Sequence, residues 1–260
     1  MVLCDVLSAD RAELIALWTE VFSGDPPAFP EKLLALLPRL GCGFAAVEAG
    51  KVLGAAYWID DLMLAGEKAG YLFGVAVLPQ ARGRGIGAAL SRACFAAGQE
   101  RGSRWLTIEP AEPSLFDWYA DIVGTAPVLY RQKRCVAADA CCPLQEISAS
   151  RYFLRREELL TGRPHLRYGQ AAQALEEENN RLFSGGFYET DGTIATAFLH
   201  GGELLSREAL GAQPEALLAS LAALRGAREA TLLSSADSGA PFLAANAPLP
   251  AGTVWNLAFD

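Results

Sequence analysis

Apolar positions change their spacing along the chain, and each change marks an element. Leu14, Leu17, Trp18, Val21 and Phe22 recur at helical intervals behind Ser8, the expected cap, until Pro26 and Pro27 break the pattern. A second helix is expected over residues 31–37. Residues 44–47 and 52–58 read as two strands about a turn at Gly50 and Lys51, a hairpin signal. Residues 71–78 form the next strand. Ile86, Ala89, Leu90, Ala93, Cys94 and Ala97 then share one helical face, closed by Gly102. A strand at 105–108, a short helix at 114–122 and a strand at 128–136 complete this part.

Cys141, Cys142 and Pro143 mark a linker, after which the pattern restarts. Helices are expected at 152–160 and 171–183. The run Glu176, Glu177, Glu178 in the latter reads as a solvated face. Residues 187–189 and 194–199 flank Asp191-Gly192, a strong hairpin turn. A third strand follows at 203–210. Pro214 opens a helix with Leu217, Leu218, Leu221 and Leu224 on one face. Residues 231–233 and 254–257 read as strands. The second part thus repeats the order of the first: helices, three strands, a helix, a strand. That is an internal duplication of topology. Two domains are expected, at 1–140 and 146–260, of α/β (α+β) class.

Composition narrows the class. A chain of 260 residues, 52% hydrophobic and 20% charged, has material for one large or two ordinary folded domains. The net charge of −8 counts against a general nucleic-acid binder, which needs a basic face. It mildly favours a cationic partner such as an amine. The first residues carry no signal-peptide pattern, and no apolar run reaches the length of a membrane span, so a cytoplasmic protein without a membrane partner is expected. Six cysteines form no Cys-x-x-Cys pair, which makes a zinc site unexpected and reduced thiols the default. His165 and His200 read as structural or surface residues.

One stretch carries chemistry. The apolar run ending at Leu78 passes through Pro79, Gln80 and Ala81 into Arg82-Gly83-Arg84-Gly85-Ile86-Gly87, and a helical pattern follows at once. Glycines let backbone N–H groups crowd a ligand. A helix start leaves N–H donors unpaired and favours negative charge. Two arginines add forked cationic donors. Together they read as an anion cradle suited to a pyrophosphate. The spacing is neither a Walker loop, which needs Gly-Lys-Ser/Thr, nor the Gly-x-Gly-x-x-Gly of dinucleotide sites. The bland alternative is a flexible basic turn.

This stretch resembles the signature of the GNAT superfamily of acyl-CoA-dependent N-acyltransferases, Arg/Gln-x-x-Gly-x-Gly/Ala after the fourth strand. Arg82 to Gly87 match it at each defined position. The run Pro110 to Tyr119 is similar to the family's segment after its fifth strand, where a short helix carries a tyrosine. The family continues Tyr-x-x-x-Gly-Phe; here Tyr119 is followed by Ala120, Asp121, Ile122, Val123 and Gly124, so the glycine stands one place late or is replaced by Val123. The resemblance covers about the first half of the chain.

The resemblance implies two GNAT-like domains, each a mixed, mostly antiparallel sheet flanked by helices. It implies direct attack of an amine on the thioester of acetyl-CoA, a co-substrate, with no metal. Backbone groups of Val75 and Val77 would pair with the pantetheine. N–H groups of Arg82, Gly83, Arg84, Gly85, Ile86, Gly87 and Ala88 would hold the pyrophosphate, with Ser114 and Phe116 also on the cofactor. Tyr119 would be the acid for the departing thiolate; its alternative is a packed aromatic beside Phe116 and Trp118. No acid lies on the expected fourth strand. Glu109, the first candidate base, shares the possibility with Glu112, Asp60 and Asp61, each of which reads equally as a loop or capping carboxylate.

The second half lacks the motif. Gly211-Ala212-Gln213-Pro214-Glu215 has no arginine, and Pro214 removes an N–H. It is expected to be a degenerate domain shaping the acceptor side. The acceptor is a small-molecule or peptide amine that the sequence does not name, and the oligomeric state stays open. Three other classes stay in view: a non-catalytic acyl-CoA binding or sensing protein, a partner subunit, and an aminoacyl transferase using charged transfer RNA. The charge of −8 opposes the last.

Overall fold

The computed structural model describes residues 1–200 and 203–257. Its elements run β1 (Val2–Asp5), α1 (Arg11–Val21), α2 (Phe29–Leu40), β2 (Gly41–Glu48), β3 (Lys51–Leu64), β4 (Glu67–Val77), α3 (Ile86–Glu100), β5 (Trp105–Ile108), α4 (Leu115–Val123) and β6 (Ala126–Ala137). They continue β7 (Gln145–Ile147), α5 (Ala149–Leu159), β8 (Leu166–Tyr168), α6 (Gln170–Leu182), β9 (Gly186–Thr190), β10 (Thr193–His200), β11 (Glu203–Leu210), α7 (Pro214–Leu224), β12 (Glu229–Ala236) and β13 (Ala240–Ala245).

The chain forms two compact units that interleave in sequence. Unit 1 is Met1–Val128 with Tyr168–Ala172 and Pro241–Leu249; unit 2 is Leu129–Arg167, Gln173–Ala240 and Pro250–Asp260. The expected boundaries, 1–140 and 146–260, cut the chain only once.

In unit 1, β1, β2, β3 and β4 pair antiparallel in that order, β5 lies parallel to β4, and β13 pairs antiparallel with β5. The turn between β2 and β3 is formed by Ala49 and Gly50, both at positive φ (50° and 80°), the form that matches strand twist. α3 covers one face of the sheet. Its Ile86, Leu90, Cys94 and Phe95 join Trp58, Leu72, Leu106 and Ile108 in one buried cluster. Asp10, not Ser8, caps α1, its carboxylate accepting from the Glu13 N–H at 3.0 Å. α2 is longer than the expected 31–37 because Pro30 stands near its start, where no N–H is needed.

In unit 2, β9, β10 and β11 form an antiparallel meander, α7 follows, and β12 returns parallel to β11. This is the order of β2, β3, β4, α3 and β5 in unit 1. β6 flanks β12 antiparallel, and β7 flanks β9. Residues 254–257 are not a strand: Val254 alone forms a bridge, parallel to His165. The glutamate run of α6 is not a solvated face. Glu176 is buried, while Glu177 is exposed and Glu178 pairs with Arg181 at 2.6 Å.

Candidate active site

The site begins where two parallel strands part. β4 pairs with β5 only from Ala69 to Leu72, opposite Trp105 to Ile108. Beyond Leu72, residues 73–77 keep their pairing with β3 and have no neighbour strand on the other edge among the described residues. A bulge reshapes this stretch. Tyr57 faces Phe73 and Ala55 faces Ala76, so Gly74 and Val75 together oppose Ala56. Gly74 has φ +58°, and a Cβ there would come 2.6 Å from the Trp18 ring, so the bulge needs glycine. Leu78 N–H donates to Leu53 O at 2.9 Å. Strand alternation then turns the N–H and C=O of Val77 to the free edge.

The turn expected to cradle an anion lies directly after this edge. Pro79 to Ala81 make one tight turn. Gly83 and Gly85 follow at φ +76° and +75°, with open space where their Cβ atoms would be. Gly85 is the left-handed N-cap of α3 and has no side chain to cap it. Ala89 N–H bonds back to Gly85 O at 3.0 Å, so the N–H groups of Ile86, Gly87 and Ala88 are the first-turn donors of the helix. The first turn therefore offers its N–H groups and the positive end of a 15-residue helix to whatever sits above it. Trp118 of α4 stands beside this turn; a Cβ on Gly87 would lie 3.5 Å from its ring.

Both arginines of the cradle are exposed, and each has a neighbour. Arg82 Nε donates to Val77 O at 3.3 Å. Arg84 Nη2 donates to Glu48 Oε1 at 2.7 Å. The Arg84 hydrogen bond, with the Met1 amine beside it, holds the Glu48 carboxyl below its usual range. Exposed pairs of this kind exchange readily with a competing anion.

An acetyltransferase profile described as the Acetyltransferase (GNAT) family matches residues 11–125. Residues 11–125 are a GNAT-family acetyltransferase domain. The fold of nearly the whole chain is that of solved GNAT proteins. A GCN5-related N-acetyltransferase from Kribbella flavida aligns over 94% of this chain and 70% of its own, with TM-score 0.67 and 14% identity. A tandem GNAT protein from the clavulanic acid biosynthesis pathway aligns over 94% and 96%, with TM-score 0.56 and 16% identity. A GCN5-related N-acetyltransferase from Sphaerobacter thermophilus aligns over 96% of both chains, with TM-score 0.53 and 18% identity. The comparison with curated proteins gives no match.

Within the GNAT domain, the residues singled out in the sequence fall into three places. Val75, Val77 and Arg82 to Ala88 line the parted strand edge and the cradle that follows it. Ser114 is exposed at the start of α4, where its side chain makes no capping bond. Phe116 and Tyr119 lie in the buried cluster against α3, and Tyr119 is only 5% exposed. Burial pushes the Tyr119 phenol above its ordinary value, an effect that the Ser91 hydroxyl partly opposes. Glu109 is half-buried, one residue past the end of β5.

Two of the carboxylates considered as bases have structural partners. Buried Asp60 accepts from Arg101 Nε at 2.6 Å and from Nη2 at 3.1 Å, with Lys68 Nζ at 2.9 Å. Asp61 Oδ2 accepts from the N–H groups of Ala171 and Ala172, at 2.7 and 3.1 Å, and so caps the first turn of α6. Among the described residues no three His, Cys, Asp or Glu side chains converge as a metal site. His165 lies between Arg163 O (2.7 Å) and Glu157 (3.2 Å); the side chain of His200 is outside the described residues.

Two residues that shape the candidate site went unread in the sequence. Gly74 had a signal, since a glycine inside a strand marks a bulge or a close backbone approach. Trp118 had none beyond its place one residue before Tyr119.

Proposed function

We propose that unit 1 is an N-acetyltransferase that binds acetyl-CoA and passes its acetyl group to a primary amine by direct attack. One observation carries the reading: the unpaired edge of β4 runs straight into a helix start whose N-cap is a left-handed glycine with no capping side chain. An extended amide-bearing arm suits the strand edge, and a pyrophosphate suits the first turn of α3. The residues present fit both parts of the co-substrate.

In this reading Val75 and Val77 bind the arm through their backbone, and an N–H at the bulge polarises the thioester carbonyl. Ile86, Gly87 and Ala88 donate to the pyrophosphate, with Arg82 and Arg84 supplying charge. Tyr119 is the proton donor to the leaving thiolate. Glu109, half-buried one residue past the end of β5, is the candidate base. The acceptor is a small-molecule or peptide amine. The reading places the work in the cytoplasm; the six free thiols and the absence of a described helix long and apolar enough to cross a membrane support it.

A second reading, an acyl-CoA binding or sensing protein without transfer, draws support from the burial of Tyr119 in an apolar cluster. Incubation with acetyl-CoA and a panel of polyamines, aminoglycosides, amino acids and peptides separates the two. Amine-dependent release of the CoA thiol supports transfer. Saturable acetyl-CoA binding with no thiol release across the panel supports the second reading.

A further inference from the structure

Unit 2 carries two adjacent cysteines, Cys141 and Cys142, in the loop between β6 and β7. Both thiols turn to the same place on α7. Cys141 Sγ donates to Ala216 O at 3.5 Å and lies 3.5 Å from Ser220 Oγ. Cys142 Sγ donates to the same carbonyl at 3.4 Å and lies 3.2 Å from the same hydroxyl. Successive side chains of an extended chain point to opposite sides, so this convergence has to be built. Ser220 builds it. The residue is buried, and its Oγ accepts from the N–H groups of Cys141 and Cys142 at 3.1 and 3.0 Å. The hydroxyl donates in turn to Asp139 O at 3.2 Å. One side chain thus folds the loop against the helix with two sulfurs side by side.

The pair is open to chemistry. Cys141 is exposed and Cys142 half-buried, and both are free thiols. Their hydrogen bonds to Ala216 O are weak, and that carbonyl is also the helical acceptor for the Ser220 N–H, so withdrawing the thiols orphans no backbone group. Soft thiolates select soft centres. Zinc asks for four ligands, and among the described residues no third Cys, His, Asp or Glu joins these two. Sulfurs side by side also cannot flank a linear ion from opposite ends. They suit a pyramidal centre that brings its own third substituent.

We propose that Cys141 and Cys142 form a chelating dithiol site for trivalent arsenic, taken up as a monosubstituted arsenical, R–As=O. Each sulfur forms one S–As bond and the As=O bond breaks. The oxygen leaves as water with the two thiol protons, and arsenic stays trivalent. The site does not depend on acetyl transfer in unit 1.

Phenylarsine oxide added to the reduced full chain, with excess mercaptoethanol as a competing monothiol, tests the proposal. Intact-mass measurement is expected to show one phenylarsenic retained per chain, with two of the six thiols lost to a thiol reagent. Cys141→Ser and Cys142→Ser are each expected to weaken retention about a hundred-fold or more, because the second S–As bond forms within one molecule only when both thiols are present. Cys135→Ser, a few residues earlier on β6, is expected to leave it unchanged. Circular dichroism and urea unfolding report whether each variant is folded. The proposal is overturned if the parent retains no arsenical against the monothiol, if either folded serine variant at 141 or 142 binds like the parent, or if Cys135→Ser weakens binding as much as they do.

Discussion

At the residue scale the glycines and the buried acids decide most. Gly85 earns its place by conformation: at φ +75° it starts α3 without a side chain in front of the first-turn donors. The pattern Arg82 to Gly87 made this legible, because no other residue type serves that geometry at so little cost. The burial of Tyr119 was also within reach. Phe116 and Tyr119 share a helical face at a spacing of three, and that face meets α3. Proposed as the thiolate's acid, Tyr119 should respond to Tyr119→Phe with turnover reduced by about a hundredfold, in the range of general-acid effects, and with acetyl-CoA affinity little changed. Unaltered turnover would make the phenol a packing residue. Glu176 was misread because a run of three acids resembles a solvated stripe, while helical geometry turns only some of them outward. Burial raises its pKa to about 7 from an ordinary 4.5. Its unfolded form loses a proton below the pH at which the folded form does. Its contribution is therefore fully present below pH 4.5 and is lost as pH rises through about 7. Denaturation measured between those values should show stability falling with pH, and Glu176→Gln should flatten the slope.

At the element scale the long periodic segments were legible, as was the short β5 at Trp105–Ile108, while most of the other short elements were not. α1, α3 and α7 announce themselves through repeated apolar positions and clear stops such as Gly102, which closes α3 at φ +83°. β1, β7 and β8 have only three or four residues, too few for a period to show. β13 is read poorly for another reason. Its partner is β5, more than a hundred residues earlier, and Ala244 joins the core of unit 1 from there. Long-range pairing of that kind leaves little local trace. The bulge in β4 is the element-scale feature on which the site depends. Gly74→Ala forces a Cβ to within 2.6 Å of Trp18 at a positive φ. It should cost about 2 kcal/mol or more in urea unfolding, combining backbone strain with overpacking. A variant as stable as the parent would mean that the bulge tolerates a side chain.

At the scale of the whole molecule, the duplicated order of elements was readable because each half repeats the same sequence of periods. The interleaving was not, because it turns on where residues 241–249 pack. A chain ending at residue 240 leaves β5 without its antiparallel neighbour and removes Asn246, whose Oδ1 accepts from Leu106 N–H at 2.9 Å. That truncation should lower the stability of unit 1 and its acetyl-CoA affinity together, as thermal unfolding with and without acetyl-CoA would show. The cradle occurs in unit 1 and has no counterpart at the start of α7. The account therefore predicts one co-substrate per chain. The most direct test is calorimetric titration of acetyl-CoA into the parent chain and into a variant carrying Arg82→Ala and Gly85→Glu. Saturation at one acetyl-CoA per chain, abolished when a carboxylate enters the cradle, is the expected result. Two sites per chain, or unchanged affinity in the double variant, would contradict the account.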